Sequence, residues 1–126
     1  MATEPNRKCD LEERLLDYAA RIIRLTDAMP KSRAASHVAS QLLRSGTAPL
    51  SHHGEAAGAE SADDFIHKMS VGLKELKESR RWLCLIARAQ MMRDVRALDA
   101  LIAESEELAK IFGASIRTAR SRRAKR

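Results

Sequence analysis

The stretch DFIHKMSVGLKELKESRRWLCLI, residues 64–86, carries the pattern that decides the fold. Apolar or small residues recur along it in steps of four and three: Phe65, Met69, Gly72, Leu76, Ser79, Leu83 and Ile86. This spacing places one seam of a helix against a neighbour packed at a shallow angle. We therefore predict a long helix that begins at a Ser61 cap. The small Gly72 and Ser79 should allow close approach of a neighbouring helix.

The same periodicity predicts a helix on the N-terminal side. Apolar residues recur from residue 11 to residue 29, and Asp10 with Glu13 resembles a capping box at the start. Pro30 is expected to end this helix, because proline disfavours helical geometry in the residue before it.

Two more helices complete the pattern. One opens near Ser32, and Gly46 and Pro49 are expected to kink it or break it briefly. The last covers residues 95–116, after a short link at residues 91–94, with acidic residues early and basic residues late. Short links of this kind predict an all-α, antiparallel up-down four-helix bundle. The predicted organisation is a flexible N-terminus at 1–9, the bundle at 10–116 and a basic tail at 117–126. The wide apolar band suggests self-association.

The charge of the chain is concentrated at its C-terminus. The chain has 23 basic and 17 acidic residues, a net charge of +6. The segment RTARSRRAKR, residues 117–126, contains six of the basic residues and no acid, so 23 − 6 = 17 basic residues balance the 17 acids elsewhere. Such a block favours contact with polyanions.

Several classes of protein are disfavoured by composition. No apolar run approaches the roughly 20 residues that cross a bilayer, so no membrane partner is expected. The N-terminus lacks an apolar signal core, which favours a cytoplasmic location. Cys9 and Cys84 are too few for a disulfide framework and are expected to be reduced. A membrane-surface role for the tail is a weaker option, because bulky apolar residues do not interleave its cations.

The stretch SHHGEAAGAESADDFIHK, residues 51–68, contains three of the four histidines. Asp64 and His67 have the carboxylate-x-x-His spacing of di-iron bundles, but such sites need two pairs of this kind and further glutamates. We interpret the stretch as a joint between helices and expect no metal and no cofactor. The sequence also lacks a Gly-x-Ser-x-Gly elbow and a phosphate-binding loop, so we predict no catalytic residues and no enzymatic activity.

Nucleic-acid binding is better supported by the distribution of basic residues. Cations recur on the face of helix three opposite its seam, and more follow in the tail. The candidate nucleic-acid-binding residues are Lys74, Lys77, Arg81, Arg88, Arg117, Arg120, Arg122, Arg123, Lys125 and Arg126. With so few aromatic residues, any binding should depend on the phosphate backbone rather than on base stacking. The alternative is an ordinary solvated surface, because Glu75 and Glu78 lie beside these cations.

A family resemblance rests on four elements that occur in order. They are AMP at residues 28–30, SQLLRSG at 40–46, the glutamate of HHGEAAGAES (Glu55), and DFIHKMSVGLKELKESRRWL at 64–83. From residue 10 to about residue 116 the chain resembles the bacterial four-helix bundle proteins encoded in ribosomal RNA intervening sequences. That superfamily includes the accessory variability protein of diversity-generating retroelements. In the family pattern an Asn stands where this chain has His52, while Glu55 keeps its place.

The resemblance implies a four-helix protomer, commonly in a ring-shaped homopentamer, with no established enzymatic activity. In the retroelement branch it implies binding of RNA or DNA and of a reverse transcriptase through basic surfaces. Two functions are therefore expected for this chain. One is a nucleic-acid-binding accessory protein that works with a reverse transcriptase. The other is an oligomeric scaffold that presents protein partners and has no nucleic-acid role.

Overall fold

The computed structural model describes the backbone of residues 7–125 and the side chains of residues 10–125. Over this range the chain forms four α-helices, and the described residues contain no β-strand. The helices are α1 (Arg7–Ala28), α2 (Arg33–Ala57), α3 (Ala62–Arg88) and α4 (Val95–Ala124). The prediction of an all-α chain with four helices is confirmed.

Helix α1 begins before the predicted cap. Because its first residue is Arg7, Asp10 lies within the first turn, and the predicted capping box of Asp10 and Glu13 is wrong. The helix ends at Ala28, two residues before Pro30, as the proline predicts. Residues 1–6 of the predicted flexible N-terminus lie outside the described residues.

Helix α2 continues through Gly46 and Pro49, so the break that was one of the two predicted outcomes is wrong, while a kink stays a prediction. Packing explains the difference, because both residues are buried and a Cβ built at Gly46 would lie 2.8 Å from the Ile22 Cγ2 atom of α1. Burial of an amphipathic face outweighs the low helix propensity of two residues. The joint between α2 and α3 therefore shrinks to residues 58–61, and most of the 51–68 stretch is helical.

Helix α3 confirms the seam that the sequence predicts. The Asp64 backbone N–H donates a hydrogen bond to the Ser61 hydroxyl at 3.0 Å, which caps the first turn. The seam is buried from Met69 to Ile86, while Phe65 is half-buried. A Cβ built at Gly72 would lie 2.6 Å from Cε2 of Phe112 on α4, so the predicted close approach occurs there.

Helix α4 extends well past the predicted bundle boundary. Asp94 caps its start by accepting a hydrogen bond from the Ala97 N–H, and the helix ends at Ala124. Residues 117–124 of the predicted tail are therefore helical. At about 1.5 Å per residue, the 30 residues of α4 span about 45 Å.

Each helix packs against two others, in the cyclic order α1, α2, α3, α4. As residue numbers rise along α2, the numbers of the residues that they contact on α3 fall: Arg44 pairs with Glu78, and Glu55 pairs with Lys68. The same holds for α3 and α4, as two ion pairs show: Arg80 with Glu106, and Asp63 with Arg123.

A layer of buried hydroxyl groups crosses the centre of the bundle, with one residue from each helix. Tyr18 of α1 is 2.7 Å from Ser105 of α4, and Ser79 of α3 donates to Ser45 of α2 at 3.1 Å. All four residues are almost completely buried. Because the Ser105 hydroxyl donates to the Leu101 carbonyl, the Tyr18 hydroxyl is the donor in their contact. Burial raises the pKa of Tyr18, so the phenol keeps its proton.

Candidate nucleic-acid interface

A shallow groove of about 410 Å³ runs between α3 and α4. Its floor is made of the apolar Leu76 and the small Ser105 and Ala109, and its rim carries charged side chains. The rim residues are Lys77, Arg80 and Arg81 from α3, with Glu106 and Lys110 from α4. Because Ser105 and Ala109 are small, the groove stays open to solvent. Its rim carries four cations and one acid.

The cations predicted on α3 form a row on its outer face, which we call the α3 row: Lys74, Lys77, Arg81 and Arg88. All four are exposed, and steps of three, four and seven residues keep them on one side of the helix. From Lys74 to Arg88 the row covers about 21 Å, because each residue rises about 1.5 Å. Among the side chains of residues 10–125, none of these four makes an ion pair.

The acids beside the α3 row face another helix. Glu75 and Glu78 both form ion pairs with Arg44 of α2, and Glu78 also accepts a hydrogen bond from the Trp82 indole at 3.0 Å. Arg44 therefore offsets part of the acidic charge that the solvated-surface interpretation depends on. The acids lie on the α2 side, away from the groove side that carries Lys77 and Arg81.

A second row of cations continues along α4. Lys110, Arg117 and Arg120 are exposed and lie seven and three residues apart, so they share one face; we call them the α4 row. Lys110 connects this row to the groove, although it also pairs weakly with Glu107 at 3.4 Å.

The remaining predicted tail residues do not share one surface. Arg123 forms an ion pair with Asp63, in the first turn of α3. Arg122 lines a different depression, between α1 and α4. Lys125 is exposed at the end of the described chain, and Arg126 lies outside the described residues. The structure thus brings part of the predicted set to the α3–α4 flank and directs Arg122 elsewhere.

Sequence reasoning missed two cations of the groove, Arg80 and Lys110. Arg80 hydrogen-bonds to Glu106 at 2.8 Å, and this bond raises the pKa of the guanidinium. Lys110 had a signal in the sequence, because it lies seven residues before Arg117 on the same helix face. Arg80 had none, since only the packing of α4 reveals that it lines the groove.

The histidines are spread over α2 and α3. His67 is exposed on α3, whereas His52 and His53 belong to helix α2. Across residues 10–125, no group of three or more His, Cys, Asp and Glu side chains could hold a metal ion. His52 faces α3, with its Cβ 3.4 Å from a Cβ built at Gly72.

A larger cleft, of about 670 Å³, opens between α1 and α4, away from the two rows. Its walls include Leu11, Phe65, Met69 and Ile111. Arg14 at its edge is held by two hydrogen bonds to Glu104, at 2.6 and 3.1 Å. This pairing raises the pKa of Arg14. Since Arg14 is paired with Glu104 and most of the other wall residues are apolar, the exposed lining of the cleft is mainly apolar, in contrast to that of the charged groove.

The fold and the flank define a class: a small α-helical bundle protein with two rows of cations on one side. The family model of the 23S rRNA-intervening sequence protein matches residues 7–114, and the chain belongs to that family. The match includes all four residues of the α3 row and Lys110 of the α4 row, but ends before Arg117. No helix among the described residues is long and apolar enough to cross a membrane.

A solved structure supports the fold. A Bacteroides thetaiotaomicron protein of unknown function, from the S23 ribosomal protein family, is 28% identical and superposes with a TM-score of 0.81. The alignment covers 89% of this chain and 99% of that protein. The search of curated proteins finds no match.

Proposed function

We propose that this chain is a non-enzymatic nucleic-acid-binding accessory protein that contacts phosphate groups through its α3–α4 flank. The observation that carries the proposal is the α3 row: four exposed cations on one face of a rigid helix, with no ion pair among the described side chains. Cations in this arrangement release counterions when they meet phosphates, which favours binding without sequence selectivity.

The wider context of the proposal rests on the residues that resemble the retroelement accessory protein. We propose RNA or DNA as the ligand and a reverse transcriptase as a protein partner, in a cytoplasmic setting. The antiparallel up-down arrangement is supported by the opposite order of the ion pairs along α2, α3 and α4. Assembly into a ring-shaped homopentamer is part of the same proposal, and measurement of the mass in solution tests it directly.

A mobility-shift titration with a structured RNA and with duplex DNA tests the binding function. The salt concentration should run from about 50 mM to about 200 mM, because binding to phosphates weakens steeply over this range. We expect binding to both ligands at low salt, and a weaker complex after deletion of residues 117–126. Absence of binding at the lowest salt would refute the proposed function. Unchanged binding after the deletion would show that residues 117–126 do not contribute to binding.

A scaffold that presents protein partners is a second candidate, and a specific surface favours it. Leu16 and Ile23 of α1 are 45% and 44% exposed, and Leu43 of α2 is 41% exposed. They lie on adjacent helices, away from the α3–α4 flank. If these residues form one contiguous patch, it is typical of a contact surface between proteins. Co-purification with the unmodified chain and with the Leu16→Ser/Ile23→Ser variant tests this surface. A specific protein partner that is recovered with the unmodified chain and lost with the variant would support it. Recovery of that partner with both would argue against it.

A further inference from the structure

We infer that the α3 row and the α4 row form one continuous track, and that a polynucleotide strand of about ten nucleotides occupies both rows at once. This inference rests on the proposed function and specifies its ligand as an extended strand, in contrast to a nucleotide or a short oligonucleotide. Three features of the flank support it: the levels of the two rows, the positions of the acids, and the groove at which the rows meet.

Two ion pairs fix the levels of α4 residues against α3. They join Arg80 to Glu106 and Asp63 to Arg123, and the residue numbers add up to 186 in both pairs. The same sum places the α4 row level with residues 76, 69 and 66 of α3, in the order Lys110, Arg117 and Arg120. The α3 row covers residues 74–88, so the rows overlap only near residues 74–76 and otherwise follow one another.

The acids of the flank lie opposite the cations at both ends of the track. Glu106 and Asp99 are seven residues apart on α4, so they share the face that meets the α3 row. Beside the α4 row, residues 62–73 of α3 contain one lysine and no arginine. That lysine, Lys68, pairs with Glu55 of α2 at 3.0 Å, whereas Asp63 faces α4. Because like charges repel, a chain of phosphates is directed along α3 at one end and along α4 at the other.

The groove between α3 and α4 is where the two rows meet. Lys77 lines it from α3 and Lys110 lines it from α4, within one residue of the same level. The axes of packed helices lie about 8–10 Å apart, so these two long side chains reach phosphates that cross between them. Glu106, the acid of the rim, is already paired with Arg80. The strand therefore passes from one helix to the other over the small residues of the groove floor.

The length of the track sets the length of the ligand. Arg120 is level with residue 66 of α3, and from there to Arg88 the track covers 22 residues, or about 33 Å. A stacked strand advances about 3.4 Å per nucleotide, so about ten nucleotides cover the track. A strand of four nucleotides covers about 14 Å and stays within one row, since the α4 row alone extends about 15 Å from Lys110 to Arg120.

A strand that reaches both rows gains affinity from their connection. Once one end is bound to the first row, binding of the other end is intramolecular, and the effective concentration at the second row raises the overall affinity. Short strands that bind the two rows separately have no such gain. The affinity should therefore depend on strand length and on the presence of both rows.

The test compares thymidine strands of about 10 and about 4 nucleotides by fluorescence polarisation, at about 50 mM salt and upwards. The ratio of the two affinities is the length advantage. A long strand also offers several registers to a single row, but these registers persist when the other row is removed. The change in the length advantage between variants therefore isolates the contribution of bridging.

Row variants remove one part of the track at a time. Lys77→Gln/Arg81→Gln/Arg88→Gln shortens it from the α3 end, and Lys110→Gln/Arg117→Gln/Arg120→Gln removes the α4 row. Each should lower the length advantage at least about tenfold, because the remaining row holds one end of the strand only. Each should also reduce the salt slope of the long strand by up to about 2.1, or about 0.7 for each phosphate that is no longer neutralised.

The matched control is Arg24→Gln/Lys31→Gln/Arg33→Gln, which removes three exposed cations near the joint of α1 and α2. Its length advantage should stay within about threefold of the value for the unmodified chain, because both rows are intact. Circular dichroism checks that every variant keeps its helix content.

The outcomes separate the two proposals. A length advantage that survives in either row variant would refute the track and leave the binding function intact. A long strand that binds the unmodified chain no more tightly than the short strand would also refute the track, as would an equal loss in the control variant. No binding of any strand, structured RNA or duplex at low salt would refute the proposed function itself.

Discussion

Replacing Gly72 by alanine should destabilise the bundle, although alanine is the better helix former. The new methyl group would lie 2.6 Å from the Phe112 ring and 3.4 Å from the His52 Cβ. Phe112 is fully buried, so its ring has little room to move. Overpacking of this kind costs about 1–3 kcal/mol, and the gain in helix propensity offsets about 1 kcal/mol. The expected net loss in the free energy of unfolding is about 0–2 kcal/mol.

Gly54 provides the matched control. It is exposed within α2, and a Cβ built there has no neighbour within 4 Å, so Gly54→Ala should stabilise by about 1 kcal/mol. Urea unfolding followed by circular dichroism, at one protein concentration because assembly would shift stability, measures both variants. The difference between them isolates the steric effect, and should be about 1–3 kcal/mol. A Gly72→Ala variant as stable as Gly54→Ala would refute the close approach of α3 and α4.

Three further predictions concern polar interactions. Ser105→Ala should cost about 1–3 kcal/mol, because it removes the 2.7 Å hydrogen-bond partner of a buried phenol. Urea unfolding measures this loss, and a cost near zero would contradict the role of the bond. Asp63→Asn should raise the affinity for nucleic acid and leave the helix content unchanged, because it releases Arg123 from its ion pair; unchanged affinity would contradict this. Lys68 lowers the pKa of Glu55 by a hydrogen bond and by charge, so the stability from this pair is present above the ordinary carboxyl pKa and disappears as pH falls through the lowered value. Glu55→Gln should therefore flatten the acid limb of the stability curve, which thermal melts across pH would reveal.

The sequence predicted the fold well where the same apolar periodicity extends over many residues. The seam of α3 repeats over six turns, so a single misjudged residue could not hide it, and its Ser61 cap and the close approach at Gly72 were also correct. The two errors in the helices, the capping box and the break in α2, each depended on only a few residues. Asp10 resembles a cap only if the helix begins there, and the start at Arg7 depends on residues that carry no periodic pattern.

Pro49 and Gly46 show why local rules fail inside a bundle. Each has a low intrinsic preference for a helix, but both are buried in the face of α2 that the bundle covers. Gly46 packs against Ile22, which lies 24 residues earlier, and no local window contains that partner. The apparent helix breaker is therefore a point of close packing between α1 and α2.

The candidate interface was predictable in part for the same reason. The α3 row follows from spacing along one helix, so the sequence was sufficient to propose it. The groove requires the position of α4 relative to α3, which sets Lys110 beside Lys77 and directs Arg122 to the opposite side. Charge counting could not make that distinction, because all the tail cations look equivalent in a block of basic residues.

The layer of hydroxyl groups limits the positions at which this chain can tolerate insertions and deletions. Tyr18, Ser45, Ser79 and Ser105 meet at one level, and a single-residue insertion before one of them would turn its helix by about 100° and move its hydroxyl off the partner. Insertions and deletions should therefore be tolerated mainly in the joints, such as residues 58–61 and 89–94. Among relatives of this chain, length variation should gather at these joints, while the intervals from each hydroxyl to its helix ends stay nearly constant.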